Sequence, residues 1–104
     1  MSPGCGVSII GLVTLLSNAE IEARLAELPG WQRSGDVIAK AFERGDFVGS
    51  VKFVESLVDP AEAMSHHPDI EISWDKVTVT LSTHSEGGLT AADCELAAKI
   101  NALA

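Results

Sequence analysis

The chain has 104 residues, 46% of them hydrophobic and 21% charged, which suits one compact domain and excludes a disordered composition. Fifteen acids against seven bases leave a net charge of −8 with the basic residues scattered, so the Lys/Arg clusters of a nucleic-acid binder are missing. Cys5 and Cys94 stand far apart with no CxxC, and a reducing cytoplasm is the expected setting.

In chain order, Val7 to Leu16 is mostly apolar but too short to span a bilayer. No Lys or Arg precedes it, so the positive region of a secretory signal is absent. Residues 1–13 are expected to be a flexible or extra N-terminal segment ahead of a single domain over 14–104. Ser17-Asn18-Ala19-Glu20 reads as a capping box, with Leu16 and Ile21 placed for a hydrophobic staple. Ile21, Leu25 and Leu28 continue at helical spacing until Pro29-Gly30. Trp31 to Ser34 and Val37 to Arg44 read as strands joined at Gly35-Asp36.

Phe47, Val51, Val54, Val58 and Ala61 mark one face of a second helix, from about Asp46 to Ser65. Pro60 interrupts it, which predicts a kink near Ser56 to Pro60 or a break into two pieces. Pro68 ends the helix around Ser65 to His67. Ile70 and Ile72 alternate with Asp69, Glu71 and Ser73 as a half-buried strand. A turn at Asp75-Lys76 leads to Val77, Val79 and Leu81 alternating with Thr78, Thr80 and Ser82. Glu86-Gly87-Gly88 breaks this strand. Thr90 caps a third helix with Asp93 three residues on, and Leu96, Ala97, Ile100 and Leu103 form its apolar face.

The order is helix, strand, strand, helix, strand, strand, helix. Short links favour an antiparallel sheet with helices on one face, an α+β layer architecture. Trp31 and Trp74 are expected in the core or at an interface rather than as stacking platforms.

His66, His67 and His84 all fall in two short segments flanking the second hairpin. Histidine titrates near neutrality and can pass protons both ways, so the cluster suits acid–base chemistry. Taken singly, each reads as an ordinary hydrogen-bonded residue. Glu62 precedes His66 by four positions, so on a continuous helix the two share a face, and a carboxylate there fixes the imidazole tautomer. His84 continues the polar parity of Thr78, Thr80 and Ser82, and Gly87-Gly88 behind it permits close approach or positive φ. Asp93 divides evenly between capping a helix and being held near the site. No HxxxH, CxxC or HExxH spacing supports a metal site, and no GxGxxG or GxxxxGK loop supports a nucleotide.

Read together, Glu62-Ala-Met-Ser-His66-His67-Pro68-Asp69 and Thr83-His84-Ser-Glu-Gly87-Gly88-Leu89-Thr90-Ala-Ala-Asp93 resemble the signature of the pterin-4a-carbinolamine dehydratase family. The spacing of the two segments and Leu28-Pro29-Gly30-Trp31 match as well, so the resemblance runs from about Leu15 to Ala104. It implies a four-stranded antiparallel sheet with three helices, assembled as a homodimer or homotetramer. The implied reaction removes water from a 4a-hydroxytetrahydropterin, giving the quinonoid dihydropterin, with no metal or cofactor; the scattered bases and the short apolar stretch lead to the expectation of no direct nucleic-acid partner and no membrane. Carried over by position, His66, His67 and His84 match the family's catalytic histidines, and Glu62 and Asp93 its supporting acids. The three histidines and Asp93 are the implied substrate contacts, with His67 and His84 favoured as the acid–base pair and Glu62 orienting His66. The chain departs from the family at Pro60, which puts the Glu62–His66 contact in doubt, and at Ile70 and Glu71, where animal members tend to carry aromatics. The rival expectation is a non-catalytic dimerisation or regulatory binding module of the same fold.

Overall fold

Helix α1 (Asn18–Leu25) starts as its capping sequence predicts: Glu20 N–H donates to Ser17 Oγ at 3.2 Å and Ser17 N–H to Glu20 Oε1 at 2.8 Å. The computed structural model describes residues 14–104, so the expectation for 1–13 lies outside the described residues. Ile21 is buried and Leu16 packs against the same core, as a staple requires. Strands β1 (Gln32–Ser34) and β2 (Val37–Glu43) form a hairpin whose turn holds Gly35 at φ 62°.

The second predicted helix is two helices, α2 (Phe47–Ser56) and α3 (Val58–Met64). Pro60 accounts for the break, since it has no N–H to give the preceding turn. The chain resets at Leu57 and leaves Pro60 in the first turn of α3, where backbone N–H groups have no intrahelical partner anyway. Asp46 caps α2 by accepting Gly49 N–H at 2.7 Å. Helix α3 stops at Ser65, whose φ of 51° lies in the left-handed region. His66 N–H then turns back to the Ala61 carbonyl at 3.0 Å.

Pro68 sends the chain into β3 (Asp69–Ser73), which forms a hairpin with β4 (Lys76–Leu81). The turn is at Trp74-Asp75, one residue earlier than expected. A 3-10 turn, His84–Glu86, precedes the last helix, α4 (Ala91–Leu103). The sheet order is β1-β2-β4-β3, antiparallel throughout. Ile38, Phe42, Val77, Val79 and Leu81 alternate onto its covered face and pack against Phe53, Leu57, Leu96, Ala97 and Ile100 from the helices. This is the α+β architecture the element order implies, with one helix split. No helix among the described residues is long and apolar enough to cross a membrane.

One expectation changes, and for the tryptophans one of the two alternatives drops out at Trp74. Strand β3 is exposed along its whole length, with Ile70 and Ile72 each 37% accessible, because it forms an edge of the sheet with only β4 beside it. Trp74 is not in the core of the chain: it is 69% exposed at the hairpin tip, whereas Trp31 is buried and donates from Nε1 to Asn101 Oδ1 at 3.0 Å.

Candidate active site

The register of β3 on β4 gathers the histidines. Asp69 pairs with Thr80, so the start of β3 and the end of β4 lie side by side. His66 and His67 come just before the first, and His84 soon after the second. Each imidazole faces a carboxylate there.

His66 Nε2 stands 2.5 Å from Asp93 Oδ1; the imidazole is 13% exposed and the carboxylate fully buried. The other oxygen, Asp93 Oδ2, accepts Thr90 N–H at 2.9 Å and the Thr83 hydroxyl at 2.9 Å. Helix capping and contact with a histidine, weighed as alternatives from the sequence, fall on the two oxygens of one carboxylate. Asp93 has no exposed surface.

His67 Nε2 lies 2.7 Å from Glu62 Oε2, both groups exposed. The expected pairing of Glu62 with His66 does not form. Helix α3 ends at Met64, and with Ser65 left-handed His66 no longer sits one turn above Glu62. His66 turns to α4 instead, and His67 takes the carboxylate. The helix end, rather than Pro60, causes the exchange.

His84 Nε2 is 3.8 Å from Asp69 Oδ2, an ion-pair distance between two exposed groups. Strand β4 ends at Leu81, so His84 does not continue the parity of Thr78, Thr80 and Ser82; it opens the 3-10 turn. Gly87 closes that turn at φ 74°, while a Cβ on Gly88 would lie 3.0 Å from Leu15 Cδ2. One glycine supplies positive φ and the other close approach.

An apolar groove of about 200 Å³ runs beside His67, walled by Val54, Leu57, Val58, Ala61, Pro68 and Ile70, with Glu62 at its rim. A flat ring placed there meets apolar walls and one histidine–carboxylate pair. A larger depression of about 450 Å³ lies around Gln32, Arg33 and Lys40 and has no histidine or carboxylate in its lining. Among the described residues, no group of three His, Cys, Asp or Glu side chains is arranged to hold a metal ion.

An ionised carboxylate only accepts, so the Nε2 of His66 and of His67 is the donor toward Asp93 and Glu62 in their ionised forms. The arrangement can therefore take up, hold and return protons. Two participants were not singled out from the sequence. Asp69 and Thr83 both lie in the quoted segments, but only the pairing of β3 with β4 brings Asp69 to His84, and only the placement of α4 brings Thr83 to Asp93.

Known proteins share this framework. The family model described as pterin 4 alpha carbinolamine dehydratase matches residues 14–103. A protein of Thermosynechococcus vestitus named "Putative pterin-4-alpha-carbinolamine dehydratase" is 55% identical over 89 residues, covering 86% of this chain and 94% of its own. The crystal structure of a transcriptional coactivator/pterin dehydratase from Brucella melitensis superposes with a TM-score of 0.84 at 35% identity, covering 88% of this chain and 99% of that one. A pterin dehydratase-like protein described as a RuBisCO assembly factor in the alpha-carboxysome superposes with a TM-score of 0.56 at 26% identity, covering 70% of this chain and 84% of that one. With the family model spanning nearly the whole described chain and the paired histidines in its sequence segments, the chain belongs to the pterin 4 alpha carbinolamine dehydratase family.

Proposed function

We propose that this chain is a hydro-lyase that removes water from a 4a-hydroxytetrahydropterin, giving the quinonoid dihydropterin in pterin cofactor recycling. The observation that carries the reading is the set of three histidines, each facing its own carboxylate beside one end of the sheet, in a chain of this family. Expulsion of hydroxide from carbon 4a needs an acid, and deprotonation of ring nitrogen 5 needs a base. Imidazoles serve both roles near neutral pH, each worth about 10²–10⁴-fold.

His67 and His84 are the acid–base pair in this reading, supported by their exposure to an incoming ligand. Glu62 steadies His67, and His66 assists while anchored on Asp93. The groove beside His67 takes the pterin ring. The reaction as written calls on no cofactor or metal, and the same reading makes the protein a cytoplasmic homodimer or homotetramer.

The test is a stopped assay on chemically generated 4a-hydroxytetrahydropterin, in which dehydration runs well above the buffer rate. Wild-type turnover equal to buffer defeats the proposal. In the same assay His67→Ala and His84→Ala each lose about 10²-fold or more, and His66→Ala loses less; abolition by His66→Ala alone reverses the division of roles.

A second reading has one observation behind it. The Brucella melitensis structure is named as a transcriptional coactivator as well as a dehydratase, and the more distant neighbour as an assembly factor. A non-catalytic binding module of the same fold would give a flat assay and bind its partner undisturbed by all three histidine substitutions.

A further inference from the structure

We infer that Thr83 is a positioning residue: with Thr90 it forms a one-way chain of hydroxyl protons that keeps Asp93 a pure acceptor and so sets which nitrogen of His66 carries the proton. The inference rests on the proposed dehydratase site for its catalytic consequence, but not for its geometry.

Hydroxyl groups have one proton each, and that decides the direction of the chain. Thr83 Oγ1 donates to Asp93 Oδ2 at 2.9 Å. The 2.8 Å contact between the hydroxyls of Thr83 and Thr90 is therefore donated by Thr90. Thr90 Oγ1 in turn accepts Ala92 N–H at 3.3 Å, an amide in the first turn of α4 that has no intrahelical partner. Protons thus point from the helix start through Thr90 and Thr83 toward Asp93. Thr90 N–H adds a second donor on Oδ2.

Thr83, Thr90 and Asp93 are all buried, so no solvent competes for these bonds. Two donors on Oδ2 favour the ionised carboxylate, and to an ionised Oδ1 His66 presents Nε2–H. His66 is left with a bare Nδ1. A neutral Asp93 would reverse this, because its acid proton could be donated to Nε2 and drive the ring to the Nδ1–H tautomer. The capping box of α4 is Thr90 and Asp93, and Thr83 bonds to both side chains from outside the helix.

The experiment is ¹⁵N NMR of the imidazoles in the full chain, with the dehydration assay beside it. In the wild type, His66 Nε2 is protonated and Nδ1 bare at neutral pH. Thr83→Val keeps the side-chain shape in an extended backbone but removes one donor, so Asp93 takes a proton more readily and His66 shifts toward Nδ1–H. Thr83→Ser restores the wild-type spectrum. His67, whose carboxylate partner is Glu62, keeps its signals in every variant. In the assay Thr83→Val lowers kcat about 10–100-fold with KM little changed, and Thr83→Ser recovers it.

A folded Thr83→Val protein with unaltered His66 signals overturns the inference. A wild-type His66 with bare Nε2 overturns it too, even if Thr83→Val does not fold. Should the wild type fail to dehydrate the substrate, the spectra still decide the relay, so the two failures are told apart.

Discussion

Cys94 follows Asp93 on α4 but points into the core, 4% exposed. Burial, the largest cause, pushes its thiol above the ordinary value. A neutral buried thiol is a poor nucleophile. Alkylation of native protein near neutral pH should therefore leave Cys94 unmodified, and denaturant should expose it, as followed by peptide mass spectrometry. Labelling of Cys94 at equal rates in both conditions contradicts its placement. The pH dependence has a definite sign. The folded thiol holds its proton more tightly than the unfolded one, so its stability contribution is complete below the unfolded value of 9.0 and is lost as pH rises through the higher folded value. Such a residue is silent in the sequence: a lone cysteine beside the Thr90–Asp93 capping box looks the same whether it faces solvent or core.

At the level of elements, the legible features are local ones. Both capping boxes need only two side chains three residues apart, and Ser17/Glu20 and Thr90/Asp93 form them as written. Pro60 announces the break between α2 and α3 because a missing N–H is a property of the residue itself. Ser65 announces nothing, since a serine in the left-handed region has no sequence signature. Yet Ser65 decides the partner of Glu62, by ending α3 at Met64, two residues before His66. A left-handed L-residue carries a cost of about 1–2 kcal/mol that glycine avoids. Ser65→Gly should therefore match or exceed wild-type stability by up to about 1 kcal/mol, whereas the β-branched Ser65→Val should lose about 1–2 kcal/mol. Denaturant midpoints measure both, and equal midpoints for the two variants would show that Ser65 is not held left-handed.

Across the whole molecule, what was illegible is what depends on distant packing. The alternation of Ile70 and Ile72 tells which face of β3 they share, but their exposure follows from β3 lying at the sheet edge, which the order β1-β2-β4-β3 decides. Helix α4 shows how far packing reaches. Its middle buries Leu96, Ala97 and Ile100 against the sheet, its far end holds Trp31 and Lys40 through Asn101, and its first turn holds His66 through Asp93. One rigid element thus carries the core and the site, and substitutions at its two ends should separate them. Ile100→Ala opens a cavity in a fully buried place and should cost about 2–5 kcal/mol, while leaving the activity per folded molecule near wild type. Asp93→Asn turns one acceptor oxygen into a donor amide facing groups that also donate. It should cost about 1–3 kcal/mol and also lower turnover at least about tenfold, because His66 loses its anchor. Calorimetry and the dehydration assay, run on both variants under conditions where each is folded, check the pair. If Ile100→Ala reduced turnover as much as Asp93→Asn, the site would depend on the general rigidity of α4 rather than on the carboxylate at its first turn.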